Sequence, residues 1–317
     1  MLIAPAKLSP KNIRRLWWVL VIIMAINVGQ NIYVSNLYPE INTRRLYLEH
    51  DFLININAGG STFYTFSLFF FNICFFVFLR SGQKLVRIIS LSISIMTAVY
   101  IVNYCFKASV VTYFLLSVVL QLTARFSKKI ISFSIITVVT SAFILVVITM
   151  FEENLIQWII DNSPTRRLTI RFVTMLDVQH EEAAEGTITG RTNLYLLSVK
   201  TWLDNASNFL FGIGDHFVEF NPAATGIGQH AELLDILGRY GLLGFIVIFS
   251  MLKGYYQYLL SIFDRRCKTH LIAILVIYIV CGLSKGIFNP PVGCAMFILL
   301  PLSAWIVNDK SAKFKQQ

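Results

Sequence analysis

Apolar runs of about 20 residues recur along the chain and constrain its fold more than any other feature. The runs lie at about 16–38, 61–79, 85–104 and 106–123, followed by a fifth ending near 151 and three more at 233–252, 271–288 and 292–307. A helix of ~20 residues crosses the ~30 Å hydrocarbon core of a bilayer. With 56% hydrophobic and 14% charged residues, the chain is also too apolar for a soluble globular domain. We therefore predict an all-α integral membrane protein with about eight transmembrane helices.

The basic residues are distributed by side of the membrane. With eight helices and both termini on one side, the terminal side receives 17 of the 27 Lys and Arg residues but two of the 17 Asp and Glu residues. Short loops rich in Lys and Arg face the cytoplasm, so we predict that both termini are cytoplasmic. A charge of +10 that is sorted by side, rather than collected in a groove or arm, argues against nucleic acid as a partner.

One long polar segment interrupts the apolar runs and is predicted to be extracytoplasmic. It divides the chain into an N-terminal bundle of about five spans at 1–151, a loop at 152–232, and a C-terminal bundle of about three spans with a cytoplasmic tail at 233–317. A connection of about 80 residues usually has its own function. Within it, apolar residues at three- and four-residue spacing predict an amphipathic helix at 192–211.

Arg191 follows a glycine just before this predicted helix. Its guanidinium group carries a permanent charge and presents a planar fork suited to phosphate oxygens. Contact with lipid headgroups, or with acidic residues of the same loop, is the competing interpretation.

His230 stands immediately before the sixth predicted span. A neutral imidazole accepts a proton from a hydroxyl group near neutral pH, so His230 is a candidate general base. A histidine at the membrane interface without a catalytic role is the alternative. His216 and His180 compete for the same assignment.

Lys107 lies in apolar sequence near the extracytoplasmic end of the third and fourth predicted spans. A cation in such surroundings favours an anionic partner, although snorkelling to the interface also explains it. Arg166, Arg167 and Arg171 form a further basic group in the loop, for which binding of lipid headgroups is an equal explanation. We expect Asp235 and Arg239, four residues apart, to pair on one helix face.

The five cysteines lie singly in or beside apolar runs, without the spacing of a metal site. We therefore predict neither disulfides nor a metal site, and no cofactor.

The order GR-x-N-x-Y, then Trp202, FLFGIGDHF, a histidine and LLDILGRYGLLGFI resembles the extracytoplasmic loop and following span of the O-antigen ligase and O-antigen (Wzy-type) polymerase family. The match covers residues 190–249. The turn at 107–109, KAS, gives weaker support, because the family often has a Ser-Arg-Gly-like element there. The chain departs from the family at Ala231, where an asparagine is common, and at Arg239, where an acidic residue is common.

The resemblance implies a metal-independent glycosyltransferase that uses polyprenyl-diphosphate sugars. It implies that Arg191 binds the donor diphosphate and that Lys107 is a second basic ligand of that group. His230 matches the histidine that positions or deprotonates the acceptor hydroxyl group.

The implied function is polymerisation of a bacterial surface polysaccharide (O-antigen, capsule or exopolysaccharide) in the cytoplasmic membrane. The implied partners are a polyprenyl-diphosphate-linked oligosaccharide, membrane lipids, and other assembly proteins such as a flippase and a chain-length regulator. Ligase-type transfer to a lipid or protein acceptor uses the same donor and stays open. A lipid-linked oligosaccharide flippase or another transporter is a further alternative, although the centres of the apolar runs lack the ionisable residues typical of ion-coupled transport. A structural membrane protein is the remaining alternative.

Overall fold

The computed structural model describes residues 9–38, 61–105, 108–126, 188–214, 227, 232–282 and 286–308. These residues are almost entirely helical, and none of them lies in a strand. Contacts divide the chain into two compact units. Unit 1 comprises Met1–Phe133, Leu259–Leu275 and Asn289–Gln317, and unit 2 comprises Ser134–Tyr258 and Val276–Phe288.

The helices of unit 1 are α1 (Pro10–Leu37), α2 (Ser61–Arg80), α3 (Lys84–Tyr104), α4 (Ala108–Phe126) and α9 (Pro290–Val307), the last containing a π-helical turn at Cys294–Leu299. Unit 2 contains α5 (Ile188–Leu203) and α6 (Ala206–Phe211). Helix α7 (Glu232–Ile262) lies mostly in unit 2, and α8 (Lys268–Gly282) is divided between the units.

Helix α1 buries one stripe and leaves the rest of its apolar surface uncovered. The side chain of Ser9 caps its first turn by accepting a hydrogen bond from the Asn12 N–H group at 3.3 Å. The buried positions recur at three- and four-residue spacing: Ile13, Trp17, Val21, Met24, Val28, Asn31, Val34 and Ser35. Val19, Ile22, Ile23 and Ile26 are each more than half exposed. A contiguous exposed apolar face of this kind is typical of a helix that contacts lipid.

Helix α2 forms the centre of unit 1. It is apolar on all sides, and 83% of its most apolar stretch is buried. It packs against α3, α4 and α9. Its phenylalanines contact one another along the helix, as between Phe66 and Phe70, whose ring centroids are 5.8 Å apart. A helix that is hydrophobic all round belongs in the interior of a bundle, and α2 follows that rule.

A buried polar contact joins α8 to α4 within unit 1. The Nδ1 atom of His270 lies 2.6 Å from Oε1 of Gln121, and the Gln121 amide nitrogen donates to the His270 carbonyl at 3.5 Å. Thr269 donates from its hydroxyl group to the Ala124 carbonyl at 3.0 Å. With the glutamine oxygen facing the ring, this hydrogen bond requires the tautomer of His270 that carries its hydrogen on Nδ1.

Basic side chains collect at one end of unit 1, which we call the basic end and define by Arg14, Arg80, Arg87, Arg125 and Arg266. Arg14 donates from Nε to the Trp305 carbonyl at 3.0 Å, so the start of α1 lies beside the last turn of α9. The Asn308 amide donates to the Ile262 carbonyl at 2.7 Å and thereby holds the end of α7 at the same place. The charge pattern of the sequence assigns all five arginines to one side of the membrane, and the structure brings them to one end of this unit.

Five of the described helices are long and apolar enough to cross a membrane, and they are α1, α2, α3, α7 and α9. Helix α4 corresponds to the fourth predicted span but has a shorter apolar stretch, at Val110–Arg125. Helix α8 has 15 residues, of which the 12 at 271–282 lie in the seventh predicted span. The fifth predicted span lies outside the described residues, so the count of eight, the long loop and the three-part division of the chain stay predictions. The described part of the chain is that of an all-helical membrane protein.

Candidate functional site

The residues predicted to carry chemistry fall mostly outside the described parts of the chain. His230, Lys107, Arg166, Arg167, Arg171 and His216 all lie there. Arg191 lies within helix α5, for which the structure gives the course of the backbone at that position. The sequence predicts Arg191 just before the helix, whereas α5 begins at Ile188 and includes it. Distances among these predicted residues therefore stay open.

The predicted amphipathic helix is two helices with a tight turn between them. Helix α5 ends at Leu203, and α6 starts after Asn205, whose side chain accepts a hydrogen bond from the Asn208 N–H group at 2.8 Å. Asparagine favours this capping position because its side chain replaces the missing helical acceptor. The apolar spacing does not predict the break between α5 and α6, because the spacing of apolar residues continues across that break.

The turn between α5 and α6 is closed by contacts across it. The rings of Trp202 and Phe209 stack with centroids 5.1 Å apart, and the indole N–H group donates to the Phe209 carbonyl at 3.1 Å. The Asn208 amide donates to the Thr201 carbonyl at 3.2 Å. These three contacts fold α6 back on the end of α5 and direct the following glycine-rich segment.

That segment, FGIG at residues 211–214, docks by its backbone on GRYG at residues 238–241 of helix α7. The Ile213 N–H group donates to the Gly238 carbonyl at 2.9 Å, and the Gly214 N–H group donates to the Arg239 carbonyl at 2.9 Å. We call this contact the glycine junction. A helical carbonyl normally accepts from the N–H group four residues later, and here α7 is kinked at Gly241 before that donor is reached. The FGIG segment supplies donors at the kink.

Two glycines make the glycine junction sterically possible. Gly212 has φ 76° and ψ −179°, and Gly241 has φ 63° and ψ −169°, a region of backbone space that only glycine adopts readily. A Cβ atom on Gly212 would overlap the backbone of Arg239 and Tyr240. A Cβ atom on Gly241 would overlap the backbone of Leu210 and Phe211. Each glycine is therefore required because the backbone of the opposite segment passes too close to it for any side chain to fit.

Helix α5 also packs against the first turns of α7. Ser198, Val199 and Trp202 line a small apolar pocket together with Leu234 and Leu237. Ser198 is 3% exposed. Arg191 lies seven residues before Ser198, about 10 Å along the helix axis at ~1.5 Å per residue. The helix that bears Arg191 thus lies beside the helix that begins two residues after His230.

Glu232 is a candidate residue that the sequence did not single out. It is partly buried at the start of α7, and its carboxylate accepts hydrogen bonds from the backbone N–H groups of Ile287 and Phe288. Arg239, two turns later, lies within electrostatic reach of it. The sequence signal that could have identified Glu232 is an acidic residue directly before an apolar span, two residues after His230. The predicted pairing of Arg239 with Asp235 stays a prediction, although Asp235 is 7% exposed and therefore buried.

Within the described residues there is no cluster of His, Cys, Asp or Glu side chains that could hold a metal ion. The five cysteines are free thiols. The expectation of chemistry without a metal or cofactor is not tested by this, because most of the candidate residues lie elsewhere in the chain.

No protein family model, no curated protein and no solved structure matches this chain. The family resemblance of residues 190–249 accordingly stays an inference from the sequence, and the function is argued from the residues themselves.

Proposed function

We propose that the protein is a bacterial surface polysaccharide polymerase. It transfers an oligosaccharide from a polyprenyl-diphosphate carrier to an acceptor sugar hydroxyl group, outside the cytoplasmic membrane. The observation that carries the proposal is the glycine junction. Its two partners, FGIG and GRYG, lie in the two glycine-containing stretches of the family resemblance, FLFGIGDHF and LLDILGRYGLLGFI, and they are separated by 23 residues of sequence. Contact between them supports reading 190–249 as one functional element.

The proposed mechanism depends on positive charge at the donor. Arg191 and Lys107 bind the two phosphates of the donor while the polyprenyl tail lies among the spans. Their charge stabilises the diphosphate as it leaves, and because a diphosphate is already a good leaving group, positioning and electrostatics provide most of the catalysis. Arg166, Arg167 and Arg171 are secondary candidates for binding the carrier or the surrounding lipid.

His230 acts on the acceptor in this proposal. It accepts the proton of the acceptor hydroxyl group as that oxygen attacks the anomeric carbon, and polyprenyl diphosphate departs. The backbone bonds from Ile287 and Phe288 to Glu232 support this role, because they fix the start of α7 two residues from His230. His216 is the alternative base.

The test is activity in cells and with purified protein. We expect Arg191→Ala and His230→Ala each to lower the rate of polymer formation by about 10²- to 10³-fold, since each removes a group that acts in the transition state. Lys200→Ala, an exposed lysine on the same helix, is the matched control for Arg191. His180→Ala tests a competing histidine and should leave the rate unchanged if His230 is the base. Unchanged polymer length and yield in both site variants would refute the proposal.

A deletion strain separates the polymerase from the ligase that the shared donor also allows. Loss of the polymerase leaves single repeats on the final carrier, whereas loss of a ligase accumulates full-length chains on the polyprenyl lipid. Translocation of lipid-linked sugar by the purified protein, without new glycosidic bonds, would instead identify a flippase.

A further inference from the structure

Three arginines from separate elements converge at the basic end of unit 1. Arg80 is the last residue of α2, Arg125 lies in the last turn of α4, and Arg266 lies in the short 3₁₀ turn before α8. Contacts between these elements hold them together: the ring of His270 lies 5.7 Å from that of Phe76 in α2, and Thr269 bonds to Ala124 in α4. Arg80 is close enough to both Arg125 and Arg266 for the charges to repel.

The described residues of unit 1 supply little negative charge to balance them. Asp264 is the one acidic side chain among these residues, and its carboxylate lies 3.6 Å from the Arg266 guanidinium group. Both side chains of that pair are about half exposed, at 49% and 53%, so the pair is partly screened by solvent. Burial raises the pKa of the Cys267 thiol to about 11, so Cys267 stays neutral at physiological pH. Among the residues that the structure describes in unit 1, one carboxylate thus balances three guanidinium charges.

Arg80 differs from Arg14 and Arg87 in its hydrogen bonding. Arg14 donates to the Trp305 carbonyl, and Arg87 donates to the Phe78 carbonyl at 3.3 Å while its guanidinium group lies 5.6 Å from the Phe78 ring centroid. The Nε atom of Arg80 is fully buried and has no hydrogen-bond partner among the described residues. A buried donor on a cation costs free energy unless an acceptor reaches it, so this position favours an anionic ligand.

We propose that Arg80, Arg125 and Arg266 bind a phosphate group, carried by an anionic lipid headgroup or by a soluble phosphate compound. Guanidinium forks suit phosphate oxygens because each donates two parallel hydrogen bonds. The site is independent of the proposed transfer reaction, because the charge pattern assigns the basic end to the cytoplasmic face and the transfer reaction is proposed for the opposite face. Leu122, three residues before Arg125 on the same helix face, is 40% exposed and gives acyl chains an apolar surface beside the arginines.

The test compares lipid retention by the whole protein in nanodiscs and by native mass spectrometry. We expect wild type to retain phosphatidylglycerol in preference to phosphatidylcholine, and the double variant Arg80→Gln with Arg125→Gln to weaken that binding about tenfold for each arginine removed. Arg80→Lys keeps the charge and loses the fork, so an intermediate loss is expected. The matched control is Lys11→Gln with Arg15→Gln, which removes the same charge from exposed positions of α1 near the same end.

Thermal unfolding with inorganic phosphate as a second ligand distinguishes the two sources of the phosphate group. If the arginines serve a lipid, phosphatidylglycerol raises the midpoint of thermal unfolding of wild type but not of the arginine double variant, and inorganic phosphate leaves both unchanged. If they serve a soluble compound, inorganic phosphate gives the arginine-dependent shift and phosphatidylglycerol does not. Equal losses of both ligands in the two double variants would overturn the proposal, because binding would then follow total charge. Arg80→Lys serves where the double variant fails to fold, and wild-type binding by it would also overturn the proposal.

Discussion

Unit 1 and unit 2 achieve their close contacts by different means. In unit 1 the central helix α2 contacts its neighbouring helices through large side chains, and phenylalanines such as Phe69 and Phe70 are fully buried. In unit 2 the two segments of the glycine junction contact each other through their backbones, and Gly212 and Gly241 both have positive φ. Side-chain packing tolerates a change of shape when volume is kept, whereas a backbone contact excludes even a methyl group. A conservative substitution should therefore cost little stability in unit 1 and much stability at the glycine junction of unit 2.

The largest effect is expected at the glycine junction. Gly212→Ala and Gly241→Ala should each lower the free energy of unfolding by about 5 kcal/mol. Backbone strain contributes ~1–3 kcal/mol, and the rest comes from overlap that separates the two segments and breaks their hydrogen bonds. Thermal unfolding in detergent measures the loss. Under the proposed function, the same variants should lose polymer formation.

Two other glycines calibrate that loss. Gly214 has φ 78° but open space around it, so Gly214→Ala carries strain alone and should cost about 1 kcal/mol. Gly254 lies within α7 with neither positive φ nor a neighbour, so Gly254→Ala should stabilise the protein by about 0.4–1 kcal/mol. If all four variants unfold alike, the backbone contact described for unit 2 is wrong.

In unit 1 the corresponding change is Phe70→Ala. It should cost about 3–4 kcal/mol, because it leaves a cavity at a position that is 0% exposed. Phe70→Leu keeps most of the volume and should cost less than about 1.5 kcal/mol. Thermal unfolding of both variants measures the difference. A Leu variant as damaged as the Ala variant would show that α2 requires an exact ring geometry, and the contrast between the units would then disappear.

The helices were predictable from the sequence because apolar length is a local property. The predicted spans at 85–104 and 292–307 match Lys84–Tyr104 and Pro290–Val307 to within two residues at each end. The extent of burial was less predictable, since α1 and α2 have similar mean hydropathy, and yet α2 is largely buried while α1 is exposed on much of its surface. That difference depends on which helices become neighbours, and the order of residues within a helix does not specify it.

The candidate site was predictable at the level of segments and less so at the level of atoms. The resemblance identified FGIG and GRYG, but each is a local pattern, and nothing in their spacing says that they bond to one another. Glu232 was missed because its role depends on backbone N–H groups more than 50 residues later in the chain. Arg191 and His230 stay predictions, because their roles are assigned from their chemical type and no measured distance between their side chains supports the assignment.

A smaller effect than that of Phe70→Ala sharpens the comparison by keeping an aromatic side chain and removing one hydrogen bond. Trp202→Phe preserves the ring that stacks on Phe209 and deletes the indole donor to the Phe209 carbonyl, so it should cost about 1 kcal/mol. Leu203→Ala, next in sequence and 55% exposed, is the control and should change the free energy of unfolding by less than about 0.5 kcal/mol. Hydrogen exchange locates the effect: exchange at residues 209–214 should rise in Trp202→Phe, while exchange in α2 stays as in wild type. Faster exchange in α2 as well would mean that the turn after α5 stabilises both units rather than the glycine junction alone.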